Sequence, residues 1–190
     1  MFKASFLNVQ FAQNELVVPT FDLFLSKAGN VDRIIEVGTG CGIFTVFLGI
    51  YCFYNDKKLI TYDIEDKMQE KTRKLFRTLG IDYRIKNIFE NITEIKDEIQ
   101  KQGCSVVLCD NGNKVKEFQI FSKFLKSGDF IFAHDYAKDL DFFRSEIQNK
   151  YWNWLEIDDK RIEDSCNQES LVSYMQEEFQ KCSWVCKQKK

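Results

Sequence analysis

The stretch Arg33-Ile34-Ile35-Glu36-Val37-Gly38-Thr39-Gly40-Cys41-Gly42-Ile43-Phe44-Thr45 decides how the rest of the chain is read. Ile34, Ile35 and Val37, with an acid at Glu36, make the short apolar run of a buried strand, and the run ends in glycines on alternate positions. Beyond them Ile43, Phe44, Val46, Phe47, Ile50 and Tyr51 recur at helical spacing. Strand, tight loop and helix therefore follow one another within about twenty residues, which is the opening of a nucleotide-type α/β domain. Glycine suits such a loop because a ligand must lie against bare backbone, and because positive φ penalises a Cβ. A dinucleotide fingerprint, G-x-G-x-x-G, would put its third glycine at position 43, which is Ile43; the spacing here is G-x-G-x-G.

With Glu36 just ahead of it, this loop resembles the first motif of the class I S-adenosylmethionine-dependent methyltransferases, in which the turn holds the methionine end of the cofactor. The resemblance implies cofactor contacts from Glu36, Gly38, Thr39, Gly40 and Gly42. It also implies an α/β fold: a single doubly wound, mostly parallel Rossmann-like sheet with an antiparallel C-terminal hairpin. Residues 1–190 then form one domain, with residues 1–30 as a segment that covers the cofactor or shapes the acceptor pocket.

Bulk composition agrees with one core. A chain of 190 residues is long enough for one well-buried domain and too short for two comfortable ones. Lys and Arg total 27 against 29 for Asp and Glu, a formal charge of -2, so a nucleic-acid partner is not favoured. No apolar stretch approaches a membrane span, no N-terminal run reads as a secretion signal, and the expected compartment is the cytosol. Seven scattered cysteines, an odd count, fit reduced thiols better than a disulfide framework.

Taken in order, residues 20–27 read as a helix, with Thr20 as N-cap, Asp22 in the first turn and Gly29 beyond the end. Residues 57–63 alternate as a second strand that closes on Asp63. Met68, Thr72, Leu75, Phe76 and Leu79 mark a helix face that stops at Gly80. Residues 81–88 read as the third strand, and Ile92, Ile95 and Ile99 as the next helix. The fourth strand, residues 105–109, runs into Asp110-Asn111-Gly112-Asn113. Phe118, Phe121, Phe124 and Leu125 supply a helix, and residues 130–133 a fifth strand ending in His134-Asp135-Tyr136. Leu140, Phe143, Ile147 and Tyr151 give a helix, residues 152–157 a sixth strand, residues 170–179 a short helix, and residues 183–188 a last strand pairing antiparallel with the sixth. Strands alternating with helices make a doubly wound sheet.

Within that fold the resemblance implies further roles. Asp63, at the end of the second strand, is the acceptor for the ribose hydroxyls, with Ile64 beside it and Glu65 as the second candidate. The Asn87 amide is placed to pair the adenine edge, with Ile88 and Phe89 covering its face. Asp110 faces the reactive end of the cofactor, because ligands of open parallel sheets collect at the carboxyl ends of the strands.

Asp110 and the His134-Asp135 pair come to one rim if their strands are parallel neighbours. Two carboxylates there repel unless they flank a cation, and hard oxygen ligands suit Mg2+, so Asp110, His134 and Asp135 form the candidate metal set. The other reading is helix capping by Asp110 and solvent exposure of Asp135. His134 is the only histidine and the candidate general base; the alternative is a hydrogen-bonded structural group. An acid after the fourth strand, a turn after Leu125-Lys126-Ser127, and a fifth strand ending in His134-Asp135-Tyr136 resemble the small-molecule O-methyltransferase branch that includes sugar-modifying and cephalosporin-biosynthesis-type enzymes. Several of those hold a divalent metal at these two strand ends. The similarity runs over residues 33–136 and departs at Asn111 and Asn113, where many relatives carry a histidine or second acid.

The function so implied is methyl transfer from S-adenosylmethionine to a hydroxyl of a small-molecule acceptor, with Asp110, His134 and Asp135 as the catalytic group. Two alternatives stand beside it: a cofactor-binding module without transfer, and an RNA 2′-hydroxyl methyltransferase drawing on Lys114, Lys116 and Lys138. The amino-directed nucleic-acid branch needs two prolines after the fourth-strand acid, and the one proline, Pro19, is distant. Cys182 and Cys186 lack the second ligand pair of a zinc site.

Overall fold

The computed structural model describes residues 4–6 and 9–190. Residues 1–3 and 7–8 of the 1–30 segment lie outside the described residues. Strands β1 (Ala4–Phe6) and β2 (Val9–Phe11) pair antiparallel as a small ribbon apart from the main sheet. Helix α1 (Val17–Lys27) starts one turn earlier than the N-cap reading of Thr20, which is buried inside the helix. Pro19 falls in the first turn, where its missing N–H is not needed, so the proline permits the earlier start.

Then β3 (Val31–Val37), α2 (Ile43–Tyr54), β4 (Lys58–Asp63), α3 (Glu70–Leu79), β5 (Asp82–Ile85), α4 (Ile92–Gln100), β6 (Cys104–Cys109), α5 (Lys114–Phe121) and β7 (Phe130–His134) alternate as the sequence predicts. After β7 come a helical turn α6 (Leu140–Phe142) running into a π turn (Phe143–Ile147), α7 (Asp159–Gln168), β8 (Leu171–Ser173), α8 (Gln176–Lys181) and β9 (Trp184–Lys189).

Two expectations are corrected here. Residues 152–157 form no strand; they cross the rim as a loop, with two isolated bridges, Ile157 to Tyr136 and Trp152 to Gln148. The apolar alternation of that stretch serves the cleft instead: Trp152 is buried and Trp154 stands at its mouth. The sixth strand of the sheet is β8, inside the stretch read as a helix over 170–179, of which only α8 is helical.

The seven-stranded sheet has the order β5-β4-β3-β6-β7-β9-β8. Pairings from β5 to β7 are parallel, and β9 is antiparallel to both β7 and β8. Strand order reverses between β3 and β6, the switch point at which such sheets open a crevice. The period-two alternation of the strands sorts their side chains into two layers: Ile34, Val106 and Phe132 pack toward α1 and α2, whereas Ile35, Val107 and Ile131 pack toward α4 and α5. Each such side chain contributes about 1.5–3 kcal/mol of burial. On the first face Phe21 and Phe24 of α1 meet Phe132 with centroids 5.1 and 4.8 Å away, which fastens the N-terminal helix across the C-terminal half of the sheet.

Candidate active site

Beyond the carboxyl ends of β3, β4, β6 and β7 lies a cleft of about 560 Å³. Its floor is the glycine loop. Gly38 has φ +107, and a Cβ there would come 2.2 Å from the Asp110 carbonyl oxygen, so glycine is what lets β3 and β6 end side by side. Gly42, at φ +78, caps α2; a Cβ would strike the Met68 Sδ at 2.8 Å, so this glycine serves the packing of α2 on α3 and does not line the cleft. Gly40 differs from both: at φ +54 it has no atom within 4 Å of a Cβ position and it lines the cleft. The loop thus presents bare main chain to open space, the shape a ligand lying on it requires.

Under the loop, Glu36 is buried and its Oε2 accepts from Thr45 Oγ1 and Thr61 Oγ1, each at 2.6 Å. Burial pushes its carboxyl up to about 7, with the two threonine hydroxyls opposing. Thr39 Oγ1 lies 2.6 Å from Thr61 Oγ1 and extends this network to the loop. At the end of β4, Asp63 accepts the Gly40 N–H at 2.8 Å and the Glu65 N–H at 3.2 Å, one on each oxygen. Each oxygen keeps a lone pair for a further donor such as a ribose hydroxyl. Ile64 points to solvent and Glu65 pairs with Lys67; neither lines the cleft.

Asn87, Ile88 and Phe89 are not brought to the cleft. Asn87 caps its own turn by accepting the Phe89 N–H at 3.1 Å and donating to Glu90 at 2.8 Å. Ile88 is core, and the Phe89 ring lies under the Lys116 ammonium at 4.1 Å.

The opposite wall holds the acids. Asp110 follows β6, its N–H bonded to the Val37 carbonyl at 2.8 Å, and His134 ends β7. The parallel register brings them together: His134 Nδ1 is 2.9 Å from Asp110 Oδ1. A carboxylate only accepts, so Nδ1 carries the donated proton; the other ring nitrogen is Nε2. That Nε2 is buried with no partner among the described residues. Antiparallel pairing sets Trp184 opposite His134, and the two rings stack at 4.9 Å and 27°. Trp184 Nε1 donates to Gln13 Oε1 at 3.0 Å, and Gln13 Nε2 donates to the second Asp110 oxygen at 2.6 Å.

Asp135 has φ +57, a left-handed conformation costly for a residue with a Cβ. The Tyr136 N–H to Ser183 carbonyl bond and the Glu156 and Ile157 N–H bonds to the Asp135 carbonyl hold it there. Its carboxylate takes the Trp152 Nε1 at 2.5 Å and the Lys114 ammonium at 3.0 Å. Burial opposes ionisation of Asp135, and the His134 ring and Lys114 ammonium beside it, with the Lys114 and Trp152 hydrogen bonds, outweigh burial and hold the carboxyl below its ordinary value.

The residues expected to share a metal therefore meet in part: His134 bridges toward Asp110 and Asp135, but among the described residues no three His, Cys, Asp or Glu side chains converge as a metal set. Lys114 occupies the middle ground, bonded to the Asn111 carbonyl at 2.8 Å, to Asp135 and to Glu156 at 3.1 Å, and 3.9 Å from Asp110. The sequence reading missed Gln13, Glu156, Trp152, Trp154 and Trp184. The one signal for Gln13 was a polar pair, Gln13-Asn14, in a stretch otherwise rich in Phe.

A scan against protein-family models finds no match, and a search of the curated proteins finds no significant one. Solved structures do resemble the chain. The apo structure of CmcI superposes with a TM-score of 0.63 at 11% identity, over 98% of this chain and 76% of that one. A candidate caffeoyl-CoA O-methyltransferase from Staphylococcus aureus gives 0.61 at 15% identity, over 92% and 83%. A geranyl diphosphate C-methyltransferase from Streptomyces coelicolor, solved with Mg2+, geranyl diphosphate and S-adenosylhomocysteine, gives 0.53 at 10% identity, over 89% and 78%. Strand order, the antiparallel β9 and these superpositions together establish that the chain has the class I methyltransferase fold.

Proposed function

We propose that this protein is a cytosolic methyltransferase that moves a methyl group from S-adenosylmethionine to a hydroxyl of a small-molecule acceptor. The observation that carries the reading is the bare Gly40 backbone on the floor of the cleft with Asp63 beside it, in a cleft that the hydrogen-bonded Asp110 and His134 also line.

The cleft fits the cofactor on its own geometry: the open space over Gly40 receives the methionine portion, Asp63 the ribose hydroxyls, and the volume is that of a nucleoside-sized ligand. When bound, S-adenosylmethionine supplies an electrophilic methyl carbon on a sulfonium. Deprotonation of the acceptor hydroxyl is assigned to the hydrogen-bonded Asp110–His134 pair, both members of which line the cleft. Gln13 and Trp184 fix the ring plane, and Trp154, 47% exposed at the mouth, offers an apolar face to the acceptor. Alignment of the hydroxyl supplies most of the acceleration, because attack on a methyl group has little proton chemistry of its own. The seven free cysteines suit a reducing compartment.

Calorimetric titration with S-adenosylmethionine and S-adenosylhomocysteine tests the cofactor, and labelled methyl donor with a panel of hydroxylated acceptors tests the transfer. Saturable binding and a labelled ether product are expected. Absence of binding of either ligand at millimolar concentration would sink the proposal. Binding without product on any acceptor would favour the cofactor-binding module, and the structural neighbours named for O- and C-methyl transfer support the enzyme over it.

A further inference from the structure

We propose that the Lys114 ammonium is the built-in cation of the acceptor wall, so that the protein compensates Asp110, Asp135 and Glu156 from its own chain and binds no divalent metal among them. The proposal sets the metal requirement of the site proposed above; it rests on that reading for turnover only, since metal binding is a property of the chain by itself.

The donor and acceptor balance carries the argument. An ammonium has three protons, and the Lys114 Nζ has three acceptors at bonding distance: the Asn111 carbonyl at 2.8 Å, Asp135 Oδ2 at 3.0 Å and Glu156 Oε2 at 3.1 Å. The second Glu156 oxygen accepts the Lys114 N–H at 2.7 Å, so the residue is gripped at both ends. The carboxylates are equally committed. Asp110 gives one oxygen to His134 at 2.9 Å and the other to Gln13 at 2.6 Å; Asp135 gives one to Trp152 and one to Lys114. A hexacoordinate ion near 2.1 Å from its ligands would have to displace the lysine and break the Gln13 or Trp152 bond as well.

The surrounding carboxylates keep the ammonium charged. Lys114 is only 6% exposed, and a buried lysine without partners loses its proton readily. Here burial does oppose the charge, but Asp110 and Asp135 outweigh it and raise the lysine well above its ordinary value. Placing Lys114 at the first residue of α5, just after the Asn113 cap, fixes its stem, so the charge cannot swing away from the rim. Lys114 is thus a positioning residue that holds the two strand-end acids in register, and deprotonation of the acceptor is left to the Asp110–His134 pair.

Mn2+ titration of the purified chain, followed by the paramagnetic resonance of the free aquated ion, tests this without reference to catalysis. The wild-type chain is expected to show no saturable site up to about 1 mM, whereas Lys114→Met, which keeps the stem and removes the charge, is expected to gain one at roughly ten-fold or greater affinity. Lys114→Arg, which restores a cation, is expected to bind none. A single wild-type Mn2+ site abolished by Asp135→Asn would overturn the proposal, as would a folded Lys114→Met that binds no metal. Should Lys114→Met not fold, the wild-type and Arg titrations still decide. Chelator-resistant methyl transfer is the matching turnover result; absence of any transfer would count against the enzyme reading and leave the metal result standing.

Discussion

Gln13 Nε2 lies 2.6 Å from Asp110 Oδ2, across 97 positions of sequence, and its carbonyl takes the Trp184 indole N–H at 3.0 Å. One buried amide therefore ties the segment before α1 to a central strand end and to the last strand. Gln13→Ala leaves Trp184 Nε1 and one Asp110 oxygen unpaired. A loss of about 1–3 kcal/mol in urea unfolding is expected, together with a raised KM for the acceptor and little change in S-adenosylhomocysteine affinity by calorimetry.

The two loop glycines should separate fold from ligand. Gly38→Ala forces a Cβ against the Asp110 carbonyl, so large destabilisation or loss of soluble protein is expected. Gly40→Ala meets no atom and bears only the cost of a left-handed conformation, about 1–2 kcal/mol. It should fold, yet bind S-adenosylhomocysteine at least several-fold more weakly. Equal binding by Gly40→Ala and wild type would remove the loop from the cofactor site.

His134→Gln removes the imidazole and keeps an amide of similar reach. Turnover is expected to fall by roughly 10²–10⁴, with cofactor affinity within a few-fold of wild type. A variant retaining most of its turnover would assign His134 to structure alone.

Glu36 gives a pH signature. Its folded value, about 7, stands above the ordinary carboxyl value of 4.5, so between those points the folded chain keeps a proton that the unfolded chain releases. Stability from this group is therefore full below pH 4.5, falls as pH rises toward 7 and levels off beyond. Glu36→Gln keeps an oxygen for Thr45 and Thr61 and cannot titrate. Relative to wild type it should gain up to roughly 2–3 kcal/mol between pH 5 and pH 8 in parallel urea melts. A pH-independent difference would contradict the buried carboxyl.

Trp154→Ala touches little of the core, so its melting behaviour should stay within about 0.5 kcal/mol of wild type. The acceptor KM should rise several-fold, with kcat less affected, in the same labelled-donor assay.

From residue 31 to residue 136 the sequence made the fold readable, because the strands carry short apolar runs or apolar alternation and the helices between them spaced apolar residues. Beyond it the signals fail for identifiable reasons. Helix α7 buries only Ile162 and Ser165, too little to mark a face, and β8 is three residues long. Trp152 and Trp154 alternate like a strand because both serve the rim. In the site, the strand-end residues Asp63, Asp110, His134 and Asp135 were legible from position alone. The contribution of Lys114 was not, since nothing local distinguishes a lysine folded inward onto acids from a solvated one. Gln13 and Trp184 reach the site by tertiary packing, which no spacing encodes.

Since Trp184 both backs the His134 ring and anchors Gln13, a growing polypeptide cannot own a finished cleft before residue 184 has joined the sheet. Partial translation products would carry the whole glycine loop while their histidine lacked the Trp184 ring behind it and Gln13 its indole partner.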